Sequence, residues 1–225
     1  MIGNGQFMGK LIIVGAGALG REVFYIARDA INHGHFESIK GFLDPDPQAL
    51  NDHGIGLPIL DSDVDYVPGE TDRFVLAIGD PALREIAAAR LEGRGGHFVS
   101  LIHPSAEVVD GSAIAAGCVL AQFAMLAVGA SLDPHVFLNV GSVVGHDCTV
   151  GRNSVLAPGA VLGGGTVLGE QVLVGSNGVV TPGRKVGTSS KIGAGSVIYR
   201  DLPPSVLAIG NPAKYKPVSI SNTSE

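Results

Sequence analysis

Val143-Val144-Gly145-His146-Asp147-Cys148, Thr149-Val150-Gly151-Arg152-Asn153-Ser154 and Val155-Leu156-Ala157-Pro158-Gly159-Ala160 are consecutive hexads that align position by position. The second residue of each is aliphatic, the third is small or a turn former, and the sixth is small. The aliphatic position recurs in both directions without a gap: Ile102, Val108, Ile114, Leu120, Leu126, Leu132, Leu138, Val144, Val150, Leu156, Leu162, Leu168, Val174, Val180, Val186, Ile192, Ile198. A period of six fits neither a helix nor a half-buried strand. It fits a short strand and a tight turn, repeated. The residue after each aliphatic is mostly Gly or Ala, which suits a corner. The fourth residue after it is small, as at Ala106, Cys118, Ser142, Cys148 and Ser154. Arg184 breaks that slot, and the hexad from Val180 to Lys185 is expected to be locally irregular.

Such a chain coils into a three-faced prism. Three hexads close one coil, the aliphatics stack inside, and successive coils pair as parallel ladders. A little over five coils gives a prism roughly 25 Å tall. Its interior has no room for an active site. Chemistry must come from corner residues, from a neighbouring copy, or from the segment in front of the repeat.

The composition agrees. Among 225 residues there are 33 Gly and no Trp, which suits a narrow aliphatic core. A net charge of −6 argues against nucleic acid or an anionic membrane as partner. No apolar run is long enough to span a bilayer. The stretch Leu11–Leu19 reads as a buried strand and turn rather than a signal-peptide core, which makes a cytoplasmic location the expectation. Cys118 and Cys148 occupy the small slot of their hexads and are expected to be buried thiols, not a disulfide or metal pair.

Residues 9–101 follow another pattern, with 102–215 as the repeat domain and 1–8 and 216–225 expected to be disordered ends. Lys10–Val14, Ile39–Leu43 and Arg73–Ile78 read as strands, with a further short strand at His97–Leu101. Arg21–Ala30 and Pro81–Glu92 read as helices, the second with Leu83, Ile86, Ala87 and Leu91 on its apolar face. This alternation predicts a small parallel α/β sheet of Rossmann type. Gly15-Ala16-Gly17-Ala18-Leu19-Gly20 stands between strand and helix, where a glycine-rich turn meets phosphate, and Asp44 ends the second strand near the place of a ribose-binding acid. Fewer than 100 residues precede the repeat, too few for a hydride-transferring dehydrogenase.

Three histidines lie in the repeat. His103 is expected to be a structural turn residue at the domain seam, and His135, after Asp133-Pro134, a solvated one. His146 precedes Asp147, and an acid beside an imidazole can orient the ring and raise its basicity.

The whole chain resembles the sugar O- and N-acetyltransferases of the sialic acid acetyltransferase and bacillosamine N-acetyltransferase group. The residues that carry the resemblance are Ile13-Val14-Gly15-Ala16-Gly17, Gly20-Arg21-Glu22-Val23, Gly41-Phe42-Leu43-Asp44 and Ala77-Ile78-Gly79. Leu101–Ala106, Asn139 with Gly145-His146-Asp147-Cys148, and Gly210-Asn211-Pro212-Ala213-Lys214 complete it. The resemblance implies a left-handed β-helix, although the general rule for parallel crossovers favours the right hand. It implies a homotrimer with active sites between subunits and acetyl-CoA as co-substrate, without a metal. It makes His146 the general base, with Asp147 holding the imidazole and Asn139, taken as lying in register with it, positioning the sugar. Gly17, Ala18, Leu19, Asp44 and Gly79 would bind the nucleotide-linked sugar. Ser176 and Ala194 would receive the pantetheine arm and Lys214 a phosphate.

Two positions depart from the pattern: Leu19 stands where relatives often carry a His, and Val155 where some carry a CoA-contacting His. The expected activity is transfer of acetyl to an amino sugar, with a 4-amino-4,6-dideoxyhexose on a nucleotide as the first choice and sugar O-acetylation as the second. A zinc hydrolyase like the γ-class carbonic anhydrases needs three clustered His, which 103, 135 and 146 do not suggest. A non-catalytic nucleotide-sugar binder is the remaining alternative, and Leu19 lends it some support.

Overall fold

The computed structural model describes residues 7–34 and 36–218. Most of the expected disordered ends therefore lies outside the described residues. The inner margins of both are ordered strand: Phe7 and Met8 open the first strand, and Lys216 and Pro217 close the last.

Four parallel strands form the first sheet: β1 (Phe7–Val14), β2 (Phe36–Leu43), β3 (Ile59–Asp61) and β4 (Asp72–Leu76), in the order β3-β2-β1-β4. Helix α1 (Ala18–Asn32) follows β1, and α2 (Pro81–Glu92) follows β4. Alternation along the strands divides the core in two. Leu11, Ile13 and Val75 pack with Val23, Ile26 and Ala27 of α1. Ile12, Val14, Phe74 and Leu76 pack with Ala87, Ala88 and Leu91 of α2. Strand β3 is the addition to the expected set. In place of the strand expected at His97–Leu101 there is one isolated bridge, Phe74 to Phe98.

The apolar face expected for α2 is only half right. Leu83 and Ile86 are exposed, whereas Arg84 is fully buried. The helix begins on Asp80, whose Oδ1 accepts from the N–H of Ala82 (2.9 Å) and of Leu83 (3.3 Å), with Pro81 in the first turn.

Seventeen two-residue strands follow, from β5 (Leu101–Ile102) to β21 (Val197–Ile198). From β5 to β18 each pairs in parallel with the strand three further on, so that Ser131 lies beside Thr149 and Phe137 beside Val155. One coil is therefore eighteen residues, and residues eighteen apart stack on one edge. The aliphatic series forms a continuous core, with Ile102, Val108 and Ile114 half-buried at its near end. The hexad containing Arg184 is regular, since Gly183 N–H and the Arg184 carbonyl make the ordinary coil-to-coil bonds. A hairpin, β22 (Val206–Gly210) and β23 (Ala213–Pro217), closes the far end.

The three faces differ. The first face, from Leu101, Val119, Phe137 and Val155, is covered by the N-terminal domain and shares its core. The second face presents Met125, Val143, Val161, Val179 and Val197, a half-buried apolar column whose last strand, β21, touches β22 of the hairpin. The third presents Ser131, Thr149, Val167 and Lys185, a more polar set.

Candidate active site

Asp147 adopts the left-handed backbone conformation (φ 59°) that the corner requires, a conformation tolerated best by Gly, Asn and Asp. Its carboxylate Oδ2 lies 2.9 Å from Nδ1 of His146. With Nδ1–H donating to the acid, Nε2 is left with a lone pair to accept a proton. Both side chains project from the edge between the second and third faces, with His146 66% and Asp147 72% exposed.

Two glycines make room for this pair. Gly129, one coil before Asp147, lies where a Cβ would strike the carboxylate. Gly164, one coil beyond His146, lies where a Cβ would overlap Nε2. Gly164 was not among the expected site residues. Its signal was available in the run Gly163-Gly164-Gly165, where corner geometry requires a left-handed residue only at the third position.

The same edge carries Pro182 and Arg200 at eighteen-residue steps beyond Gly164. Arg200, Tyr199, Pro212, Lys214 and Tyr215 line a cavity of about 490 Å³ between the last coil and the terminal hairpin. From this cavity to His146 is three coils, roughly 14 Å, over the small corners of Pro182 and Gly164. Lys214 therefore lines a cavity at the far end of the edge that carries His146.

Asn139 is not in register with His146. Seven residues are one hexad plus one, and that step moves to the next corner, between the first and second faces. Its Oδ1 accepts from Val140 N–H at 2.7 Å. Ser176 and Ala194 lie on that same edge, stacked so that Gly195 N–H donates to the Ser176 carbonyl at 2.8 Å. The expected base and the expected sugar and pantetheine contacts thus occupy two different edges, one on each side of the apolar second face. Among the prism's exposed apolar residues in the described structure, Phe123 and Val140 lie on one of these edges and Val128 and Tyr199 on the other.

In the N-terminal domain, Gly17 is the N-cap of α1 and supplies no side-chain cap. Ala18 beside it is exposed. Leu19 is half-buried against the domain core, and a Cβ on Gly79 would stand 3.8 Å from its Cδ2, so the turn and the end of β4 face each other across a narrow crevice. Asp44 holds the turn itself: Oδ2 accepts from Ala16 N–H at 2.7 Å and Oδ1 from Asp46 N–H at 3.0 Å. Arg21, one turn into α1, pairs with His53 at the rim.

The other two histidines of the prism and both cysteines make structural contacts. His103 bridges the domains, with Nε2 3.3 Å from Asp29 of α1 and Nδ1 2.8 Å from Ser105 Oγ. His135, expected to be solvated, is buried, with Nε2 2.9 Å from Glu92 of α2. Burial lowers its pKa against the pull of Glu92. Cys118 and Cys148 are free and buried. Burial pushes the Cys118 thiol up to about 12 and raises that of Cys148, so neither is an activated nucleophile. Among the described residues no group of three or more His, Cys, Asp or Glu gathers as a metal site, and no helix is long and apolar enough to cross a membrane.

The prism is built of the hexads of the hexapeptide-repeat transferase class. The family model for bacterial transferase hexapeptide repeats matches residues 129–164, and that for the PglD N-terminal domain matches residues 10–91. The perosamine N-acetyltransferase of Caulobacter crescentus, solved with CoA and GDP-perosamine, is 32% identical, with a TM-score of 0.84 over 92% of this chain and 97% of that one. The acetyltransferase domain of PglB from Neisseria gonorrhoeae, solved with acetyl coenzyme A, is 30% identical, with a TM-score of 0.81 over 91% and 98%. WeeI from Acinetobacter baumannii shares the fold at 24% identity, with a TM-score of 0.81 over 93% and 100%. The chain belongs to this family of sugar acetyltransferases.

Proposed function

We propose that the protein transfers the acetyl group of acetyl-CoA to the amino group of a nucleotide-linked sugar, with a 4-amino-4,6-dideoxyhexose as the preferred acceptor. The observation that carries this reading is the His146–Asp147 pair, with Nε2 free above a glycine corner. His146 Nε2 takes a proton from the amine as its nitrogen attacks the thioester carbonyl, the C–S bond breaks, and CoA leaves as the thiolate. Asp147 fixes the tautomer and stabilises the imidazolium. No acyl-enzyme is needed, because both cysteines are buried and their pKa values are raised.

The protein acts as a homotrimer. In a single chain the base and Asn139 are on opposite sides of the second face, and the crevice of the N-terminal domain lies over the first. Packing second faces around a threefold axis sets the His146 edge of one copy against the Asn139 edge of the next. It also covers the apolar column Met125, Val143, Val161, Val179 and Val197, and the exposed Phe123, Val128 and Val140. At this seam acetyl-CoA lies with its phosphates at Lys214 and its pantetheine along Ser176 and Ala194. The acceptor's nucleotide occupies the crevice of Gly17, Ala18, Leu19 and Gly79, with Asp44 supporting the turn. A cytoplasmic location, where acetyl-CoA and nucleotide sugars meet, completes the reading.

Release of free thiol from acetyl-CoA, measured across a set of GDP- and UDP-linked amino sugars, tests the activity. Absence of transfer to every amino sugar, together with transfer to the corresponding hydroxy sugars, would replace N-acetylation by O-acetylation. A monomer at micromolar concentration in sedimentation would remove the shared site.

A further inference from the structure

Arg84 is the largest fully buried side chain of the described residues, and none of them offers its guanidinium a carboxylate. It is satisfied by carbonyls. Nη1 donates to Ile78 O at 2.8 Å and, at 3.3 Å, to Leu76 O. Nη2 donates to His135 O at 2.7 Å, across 51 residues of sequence. The plane lies over the Phe137 ring at 5.6 Å, and Nε has no partner. Burial lowers its pKa to about 10, which leaves it charged at neutral pH.

An unpaired buried cation is costly, and a methionine of similar length would fill the space without that cost. The contacts show what the charge accomplishes. Leu76 and Ile78 flank Ala77 at the end of β4, the strand whose continuation, Gly79, forms one wall of the acceptor crevice. His135 O belongs to a left-handed corner of the prism (φ 63°), a rigid point one coil before Asn153 on the same edge. One planar fork thus ties the crevice wall to the prism. The other links from α2 and its N-cap to the prism run through partly exposed carboxylates: Glu92 to His135 at 2.9 Å, Glu85 to Asn153 and to Arg152 at 3.6 Å, and Asp80 to Lys191 at 3.4 Å.

We infer that Arg84 is a positioning residue of the acetyl transfer: its fork fixes the Ile78–Gly79 wall of the crevice to the prism and so sets where the acceptor amine is delivered relative to His146. The inference rests on the acetyltransferase reading above. A lysine keeps the charge but cannot donate in two fixed directions from one plane, so it does not replace the fork.

The test compares wild type with Arg84→Lys and Arg84→Met, using whichever GDP- or UDP-linked 4-amino-4,6-dideoxyhexose the wild type turns over. Both variants are expected to raise KM for the nucleotide sugar by about tenfold, the scale of a small misplacement, while KM for acetyl-CoA stays within twofold. A wild type that turns over neither sugar overturns the acetyltransferase reading itself. An active wild type whose variants keep the sugar KM within twofold overturns the role of Arg84 alone. So does a parallel rise of both KM values that follows the melting temperature, which marks a structural staple only. If both variants fail to fold, hydrogen exchange of wild type decides: the Ala77 amide, bonded to Val14 O, exchanges as slowly as the core of α2 if the wall is fixed, and much faster if it is not.

Discussion

The corners at 133–136 and 145–148 are two copies of one turn, and each carries a histidine beside a carboxylate. At the first, His135 itself takes the left-handed position (φ 63°), points under α2 and meets Glu92. At the second, Asp147 takes that position and His146 stands free at the edge. The turn is the same in both; what differs is what covers it. The N-terminal domain makes a joint of one corner and leaves the other open to solvent.

The strongest way to break this contrast is to remove each imidazole. His146→Ala is expected to lower kcat by about a hundredfold to ten-thousandfold with an unchanged melting temperature; near-wild-type turnover at saturating substrates would end its assignment as base. Gly164→Ala leaves His146 in place but sets a methyl against Nε2, and the displaced ring should lower kcat by about ten- to a hundredfold. A crystal structure of that variant would show the rotated imidazole. His135→Ala should do the reverse, costing about 2–3 kcal/mol of stability through the cavity left beside Phe98, with kcat within twofold. Denaturant titration measures it, and a kinetic defect without a stability loss would refute the division of roles.

The pH response sharpens the same contrast. Burial lowers the His135 pKa in the fold, so the unfolded chain binds the proton more readily. The stability that His135 contributes is complete above the ordinary imidazole range and falls as pH drops through that range toward the folded pKa. His135→Phe should flatten this slope in melting experiments between about pH 7 and 5. The smallest expected effect is at Phe123, a bulky residue held in the left-handed region (φ 57°) and 69% exposed. Phe123→Gly relieves about 1–2 kcal/mol of backbone strain but removes a ring from the proposed seam. Sedimentation should show a weaker trimer although the protomer melts no lower.

The prism was legible because its period is covalent arithmetic: an aliphatic every six residues leaves the chain one way to bury them all. Registers between edges were less so. Asn139 looks in register with His146 because seven residues are close to one repeat, yet only eighteen-residue steps stay on an edge. Helix α2 was read correctly from Pro81 to Glu92, but its inner face was not. Apolarity pointed to Leu83 and Ile86, while the surface beneath offers carbonyls that only Arg84 can satisfy. Nothing local to Asp133-Pro134-His135 announces that its imidazole meets a helix residue 43 positions away, so the sequence suggests a solvated ring. Strand β3 was missed because three residues after Pro58 carry too short a pattern. The site's electrostatics were half visible: the His–Asp adjacency lies in the sequence, but the clearance that Gly129 and Gly164 give it appears only when coils are stacked.

The eighteen-residue coil also constrains how such a chain can change length. An insertion of six or twelve residues between His146 and the terminal hairpin would rotate every later corner by one or two faces, and Arg200 would no longer stand above His146. An insertion of eighteen keeps each residue on its edge and lifts the hairpin by one rung, about 4.8 Å. Descent from a common ancestor should therefore leave gaps in multiples of eighteen within this segment, while the loops of the N-terminal domain drift by single residues.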